Sequence, residues 1–263
     1  MTRVISALAL LVFSLGTILF LPPVAAVVLA EIVALVAFAE YVGLAHAVGI
    51  RFPAVPAGAA TLATVAAIAL TPNALPVVVM AASLVVALTA LADEGDKGTL
   101  ASVGVAGFAV LYLGVTVGAL AAVQMQAGRE SLIVLLATVI VSDTTQFYGG
   151  RLLGRRALAP SVSPKKTVEG AVCGVVMASA TMVGLGPWGV PGVSTLGYVT
   201  LGATLAMLGI AGDLFESLLK RSAGVKDSSQ FIPGHGGMLD RVDALLFAAP
   251  VYYTVVVFVG SSS

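Results

Sequence analysis

The apolar residues of this chain come in long runs separated only by short polar or proline-containing segments. A helix needs about 20 apolar residues to cross the hydrocarbon core of a bilayer, where the backbone must satisfy its own hydrogen bonds. Nine candidate runs are present, at 3–21, 24–49, 54–70, 74–92, 99–123, 131–150, 167–187, 195–217 and 243–260. Their boundaries fall at Pro22-Pro23, Pro53, Pro72-Asn73, the Asp93–Lys97 charge cluster, Gln124–Glu130 and two long polar loops. The expected fold is therefore all-α, a polytopic integral membrane protein of about nine transmembrane helices. Composition agrees, since only 10% of residues are charged and soluble domains carry about 25%. A net charge of zero supplies no broad basic face for nucleic acid. The first run resembles a secretory signal, but no small-x-small cleavage site follows and a second apolar run begins at once. It reads as a retained helix. The single cysteine, Cys173, lies in an apolar stretch as a small packing residue and excludes an internal disulfide.

Lys and Arg placement fixes the expected direction. If the runs alternate across the bilayer, one side holds Arg3, Arg51, Lys97, Arg151, Arg155, Arg156, Lys165, Lys166, Lys220, Arg221, Lys226 and Arg241. The other side holds only Arg129. Cytoplasmic loops carry such an excess of basic residues, which places the N-terminus inside. The chain then divides into an N-terminal set of helices, 1–130, as a lipid-facing scaffold with room for dimer contacts, and a region at 131–263 that holds the chemistry. The cytoplasmic loops of the second part are 151–166 and 218–242.

Polar residues are sparse before residue 130. Glu31 and Glu40 lie in the second run, and a carboxylate at membrane depth is costly unless it faces protein or water. Two readings stand for them: packing against a polar partner, or lining a site, the latter more for Glu40. The second half differs. The sixth run ends in Ser142-Asp143-Thr144-Thr145-Gln146-Phe147-Tyr148-Gly149-Gly150-Arg151, which puts Asp143 about 10 Å below the interface at roughly 1.5 Å per residue. Next come Ser161-Val162-Ser163-Pro164-Lys165-Lys166-Thr167-Val168-Glu169-Gly170. Lys165 and Lys166 with flanking hydroxyls suit phosphate oxygens, and Thr167 opens a helix whose free N–H groups attract anions. Alone, such a basic run also suits anionic lipid headgroups. The third cluster runs Asp213, Glu216, Ser217, Lys220, Arg221, Lys226-Asp227, then Pro233-Gly234-His235-Gly236-Gly237 and Asp240-Arg241-Val242-Asp243. The first four share a helix face at three- and four-residue spacing, and the glycines permit close backbone approach to a ligand. Carboxylates from two helix ends with Lys and Arg around them suit a divalent cation bound to phosphates.

These residues closely resemble the phosphatidate cytidylyltransferases, also called CDP-diacylglycerol synthases. Ser217, Lys220, Arg221, Lys226, Asp227, Pro233 to Gly237, Asp240, Arg241 and Asp243 fill every place of the family signature. Ser163 to Gly170 and Asp143 to Arg151 also look like the family's, so the resemblance covers roughly the last 120 residues. Val168 stands where the family usually has tryptophan, and Gln146 where it usually has a small residue. The resemblance implies a membrane nucleotidyltransferase of phospholipid biosynthesis that takes CTP and phosphatidic acid from the plasma membrane, with its active site on the cytoplasmic side. It implies Mg²⁺, with a second cation admitted, held by Asp213 and Asp240 with Asp143 and Asp243 as additional ligands. Lys226 and His235 join Asp213 and Asp240 as catalytic residues. Ser163, Lys165, Lys166, Thr167, Ser217, Lys220, Arg221, Asp227, Gly236, Gly237 and Arg241 would bind substrate, and the assembly would be a homodimer. The alternatives are a CTP-dependent lipid kinase and a secondary transporter, whose carboxylates would sit near the midplane in both halves. A P-loop enzyme is disfavoured because no G-x-x-x-x-G-K-[ST] appears.

Overall fold

The computed structural model describes residues 15–92, 98–229, 231 and 236–260. After helical residues 15–20 come α1 (Pro23–Ala47), α2 (Ala54–Leu70), a 3₁₀ turn at Pro72–Ala74 and α3 (Leu75–Ala92). Then α4 (Thr99–Ala109) runs through a π-helical stretch, Val110–Val115, into α5 (Thr116–Leu153). The last elements are β1 (Ala157–Ala159), β2 (Ser163–Thr167), α6 (Val168–Gly189), α7 (Thr195–Ser222) and α8 (Leu239–Gly260). Prolines open several helices: Pro23 is the first residue of α1 and Pro53 precedes α2. At these positions the missing N–H costs nothing and the fixed φ favours the helix.

Among the described residues, five helical stretches are long and apolar enough to cross a membrane, one of them the 55-residue stretch Thr99–Leu153. That stretch contains two of the expected runs. The break expected at 124–130 is a kink at Gly128, with φ 87° and ψ 170°, a conformation that glycine adopts without steric cost. Two helices also outlast their apolar runs. The polar turn Leu218–Ser222 continues α7, and α8 begins at Leu239, four residues before the run that predicted it. The all-helical expectation needs one correction: the 151–166 loop forms a two-stranded antiparallel ribbon, pairing Ala157 with Thr167 and Ala159 with Ser163.

Helices α5, α6, α7 and α8 pack as a ring in which α5 meets α6 and α8, and α7 closes the gap between those two. Helices α1 and α2 lean on the outside of α5. The α5–α6 crossing is tight because small residues line it. A Cβ on Gly170 would lie 2.6 Å from the Gln146 carbonyl oxygen and 3.0 Å from Gly150 Cα. Within the ring, the buried Tyr252 donates its hydroxyl to the Ser131 carbonyl at 2.9 Å. Phe108, Tyr112, Phe215 and Phe247 form an aromatic cluster with centroid separations of 5.3–6.3 Å, joining α4 and the π-helical stretch to α7 and α8.

Candidate active site

The polar side chains of the second half collect at one end of the helix ring, in two linked groups. In the first, Lys166 at the end of β2 forms an ion pair with Asp213 on α7. The Ser217 hydroxyl, one turn along, is 3.5 Å from Asp213 Oδ1. The charges of Asp143 on α5 and Asp213 both bear on Asp243 on α8, and Lys166 opposes them. Carboxylates from three helices are thus within electrostatic reach of one lysine, which is paired directly with Asp213 alone. Gln146 Nε2 donates to Ser142 Oγ at 3.1 Å and to Asp143 Oδ1 at 3.3 Å, which orients that carboxylate.

In the second group, Lys220 near the end of α7 pairs with the fully buried Glu216 at 2.5 Å and with Asp240 on α8. The other oxygen of Asp240 accepts from Ser228 N at 3.1 Å, Ser228 Oγ at 2.8 Å and Gly237 N at 2.8 Å. Asp240 therefore fastens Ser228 and Gly237 to the start of α8. Gly237 fits only because it has no side chain. A Cβ there would lie 2.5 Å from Glu40 Oε2 and collide with the Ser228 hydroxyl.

Glu40 comes from α1, in the half of the chain outside the signature. Its Oε1 accepts from Ser229 Oγ at 2.6 Å and Met238 N at 2.8 Å. Its Oε2 accepts from Leu239 N at 2.8 Å and lies 2.9 Å from Ser228 Oγ, whose one proton it shares with Asp240. The first N–H groups of a helix have no intrahelical partner. Glu40 supplies one to the start of α8 from a different helix. A carboxylate also suits the positive end of the α8 dipole. Glu40 thus has the polar partners that the packing reading expects, in the chain on either side of the undescribed residues 232–235.

The ribbon is fixed from α6. Glu169 Oε2 accepts from Arg155 N at 2.9 Å and Arg156 N at 3.2 Å, and Thr167 caps α6 by accepting from Gly170 N at 3.1 Å. This holds Lys165 and Lys166 at the junction of β2 and α6. Lys165, Arg221, Lys226, Asp227 and Arg241 are exposed, and Ser163 is half-buried in β2. Asp227 lies against Gly236, and Arg221 donates to the Val225 carbonyl at 3.2 Å. His235, with Pro233 and Gly234, lies outside the described residues. The two carboxylates expected to share an ion, Asp213 and Asp240, are distributed over two different lysines. Ser228, Ser229 and Glu169 were not among the sequence candidates; the two serines lie in a loop with no spacing signal, and a lone Glu in the first turn of α6 reads as an ordinary helix-start residue.

Among the described residues, no three His, Cys, Asp or Glu side chains are drawn together as a ready metal cage. The donor chemistry of the Asp143, Asp213 and Asp243 group nonetheless fits a hard divalent cation. It offers carboxylate oxygens only, and one lysine leaves its negative charge uncompensated.

A sequence profile described as the cytidylyltransferase family matches residues 1–259. A phosphatidate cytidylyltransferase of Helicobacter pylori is 45% identical over 141 residues, 53% of this chain and 52% of that protein. One of Thermotoga maritima is 33% identical over 175 residues, 65% of each chain. One of Synechocystis is 46% identical over 128 residues, 47% of this chain and 42% of that protein. The chain spans about half the length of the curated relatives it matches.

Proposed function

Because the chain belongs to the cytidylyltransferase family, we propose that it moves the cytidylyl group of CTP onto the phosphate of phosphatidic acid, giving CDP-diacylglycerol and pyrophosphate. The observation that carries this reading is the Lys166–Asp213 ion pair between the ribbon and α7, with Asp143 and Asp243 within electrostatic reach of it. A lipid phosphate oxygen attacks the α-phosphorus of CTP, the new P–O bond forms, and the bond to the β-phosphate bridge breaks with its electrons leaving on pyrophosphate. The nucleophile is already an anion near neutral pH, so no strong base is needed. The obstacle is bringing two polyanions together, and preorganised positive charge is what lowers it.

Lys165 and Lys166 on the ribbon, with Ser163 and Thr167 beside them, would receive the lipid phosphate at the membrane surface. Lys226, Arg221 and Arg241 would receive the nucleotide phosphates from the aqueous side, with His235, Asp227, Gly236 and the loop backbone orienting them. Lys220 and Ser217 hold the carboxylates in place. Asp213, Asp243 and Asp143 would hold Mg²⁺, with Asp240 beside them and a second cation admitted. When bound, the ion neutralises charge on the reacting phosphates. The same reading has nine spans, a cytoplasmic N-terminus and active site, the plasma membrane as the site of action, and a homodimer as the assembly. The charge asymmetry supports the topology, and the shared end of Glu40 with the 225–239 loop agrees with it.

The test is purified full chain in phosphatidic acid-containing bilayers with radiolabelled CTP. The α-phosphate label should enter the lipid and the γ-phosphate label should leave as pyrophosphate. γ-Label on the lipid would replace this reading by a kinase. Transfer should also stop when divalent ions are chelated and return with added Mg²⁺; undiminished transfer in chelator would remove the metal from the mechanism.

A further inference from the structure

We propose that Glu40 is a positioning residue for the site: its carboxylate, reaching from α1, ties Ser228 and Ser229 to the start of α8 and so fixes the helix end that carries Asp240 and Asp243. Three observations carry this. First, Glu40 is 6% exposed on a helix whose other buried residues are apolar apart from the Tyr41 hydroxyl, and a carboxylate in such a place persists only when it is fully hydrogen-bonded. The four polar groups around it are Ser228 Oγ (its proton shared with Asp240), Ser229 Oγ, Met238 N and Leu239 N. Second, two of those donors are backbone N–H groups at the start of α8, the helix that carries Asp240 and Asp243. Displacing Glu40 therefore frees the helix end that aims both carboxylates. Third, the Ser228 hydroxyl lies within hydrogen-bonding distance of both Glu40 and Asp240, and Gly237 closes over the Glu40 oxygen. Glu40, Ser228, Gly237 and Asp240 thus form one unit, and the half of the chain outside the signature contributes the member that anchors it.

The assignment rests on the cytidylyltransferase reading only for its kinetic consequence, so the test has two arms. Hydrogen exchange on the full chain in bilayers compares wild type with Glu40→Gln. The amide replaces two acceptor directions with N–H groups that face the Met238 and Leu239 or Ser donors. Exchange across 225–240 should speed up by about tenfold or more while α5 and α6 keep their protection. In the second arm, kcat/KM for CTP should fall by about thirtyfold or more, with KM for phosphatidic acid within about twofold of wild type. Glu40→Asp, which keeps the charge, should recover part of both. Unchanged exchange at 225–240 overturns the proposal, as does loosened exchange with unaltered CTP kinetics. Exchange that rises uniformly through the chain, or both substrates losing equally, overturns it in favour of a general stability role. If Glu40→Gln does not fold, Ser229→Ala removes one donor alone and should show the same local pattern at smaller size; no local change there overturns the proposal as well. A wild type that does not use CTP would sink the proposed function, and the exchange arm would then decide the positioning role by itself.

Discussion

At the scale of single residues, the site is organised by which lysine each carboxylate meets. Asp213 pairs with Lys166 and shares the influence of Asp143 and Asp243, whereas Asp240 pairs with Lys220 and saturates its second oxygen with loop donors. Asp213→Asn and Asp240→Asn should therefore fail differently. Each should lower kcat by at least about a thousandfold, since a lost ion position or a lost loop removes several kcal/mol and each 1.36 kcal/mol is about tenfold. Only Asp213→Asn should also raise the Mg²⁺ concentration needed for half-maximal rate. Retention of more than about a tenth of the wild-type rate by Asp213→Asn would show that it holds no ion. Lys220 separates two carboxylates that are otherwise close, so Lys220→Met leaves both Glu216 and Asp240 without their cation. Stranding a buried charge costs about 3–5 kcal/mol. Thermal unfolding in detergent should accordingly come at a much lower temperature for Lys220→Met than for Glu216→Gln, which leaves Lys220 paired with Asp240. Equal shifts would mean that the pairs do not govern stability. The sequence placed Asp213, Glu216, Ser217 and Lys220 on one face, and spacing along a helix is enough for that. It could not show that Lys166, 47 residues earlier, takes Asp213, because partners from other elements leave no periodic trace.

At the scale of elements, apolar length made the helices legible and hid what joins them. The runs at 24–49, 54–70, 74–92, 167–187 and 195–217 correspond closely to α1, α2, α3, α6 and α7. The ribbon was not legible. Ser163-Pro164-Lys165-Lys166-Thr167 has no alternation of apolar and polar residues, and its pairing depends on Glu169 holding the Arg155 and Arg156 amides from the next helix. Gly128 was equally hidden, since a polar stretch reads as a loop whether the chain turns or merely kinks. The α5–α6 crossing supplies a test of how an element positions the site. Gly170 lies under Gln146 and Gly150, whereas a Cβ on Gly184 of the same helix meets nothing within 4 Å. Gly170→Ala must push α6 away from α5, and with it the junction that carries Lys166. It should lower activity by about tenfold or more and reduce the melting temperature, because overpacking typically costs about 1–3 kcal/mol. Gly184→Ala should be neutral or slightly stabilising, since alanine is favoured over glycine in a helix by about 1 kcal/mol. If the two substitutions behave alike, the crossing does not set the ribbon's place.

At the scale of the whole molecule, charge and contact argue for the same sidedness by independent routes. The charge argument counts Lys and Arg on alternate loops. The contact argument needs no count, because Glu40 near the end of α1 binds the loop between α7 and α8, so those two chain segments occupy the same end of the protein. The same end holds the ribbon between α5 and α6, through Lys166 and Asp213. The opposite end carries the exposed Arg129–Glu130 pair beside the Gly128 kink, and the Pro191-Gly192 turn between α6 and α7. A bilayer that leaves the basic end in the cytoplasm must put Pro191 outside. With Cys173 replaced by Ser, a cysteine at Val225 should react with a membrane-impermeant maleimide only after the cells are opened. A cysteine at Pro191 should react in intact cells. Both positions are exposed on the protein surface, so a failure to react reports the membrane and not burial. Reaction of both from the same side would mean an even number of crossings between them in place of the single one expected, and α7 would then not span the bilayer. Reaction of position 225 from outside would invert the molecule. It would put the lysines proposed to bind phosphate where no cytoplasmic nucleotide could reach them, and the proposed reaction would have to be abandoned along with the topology.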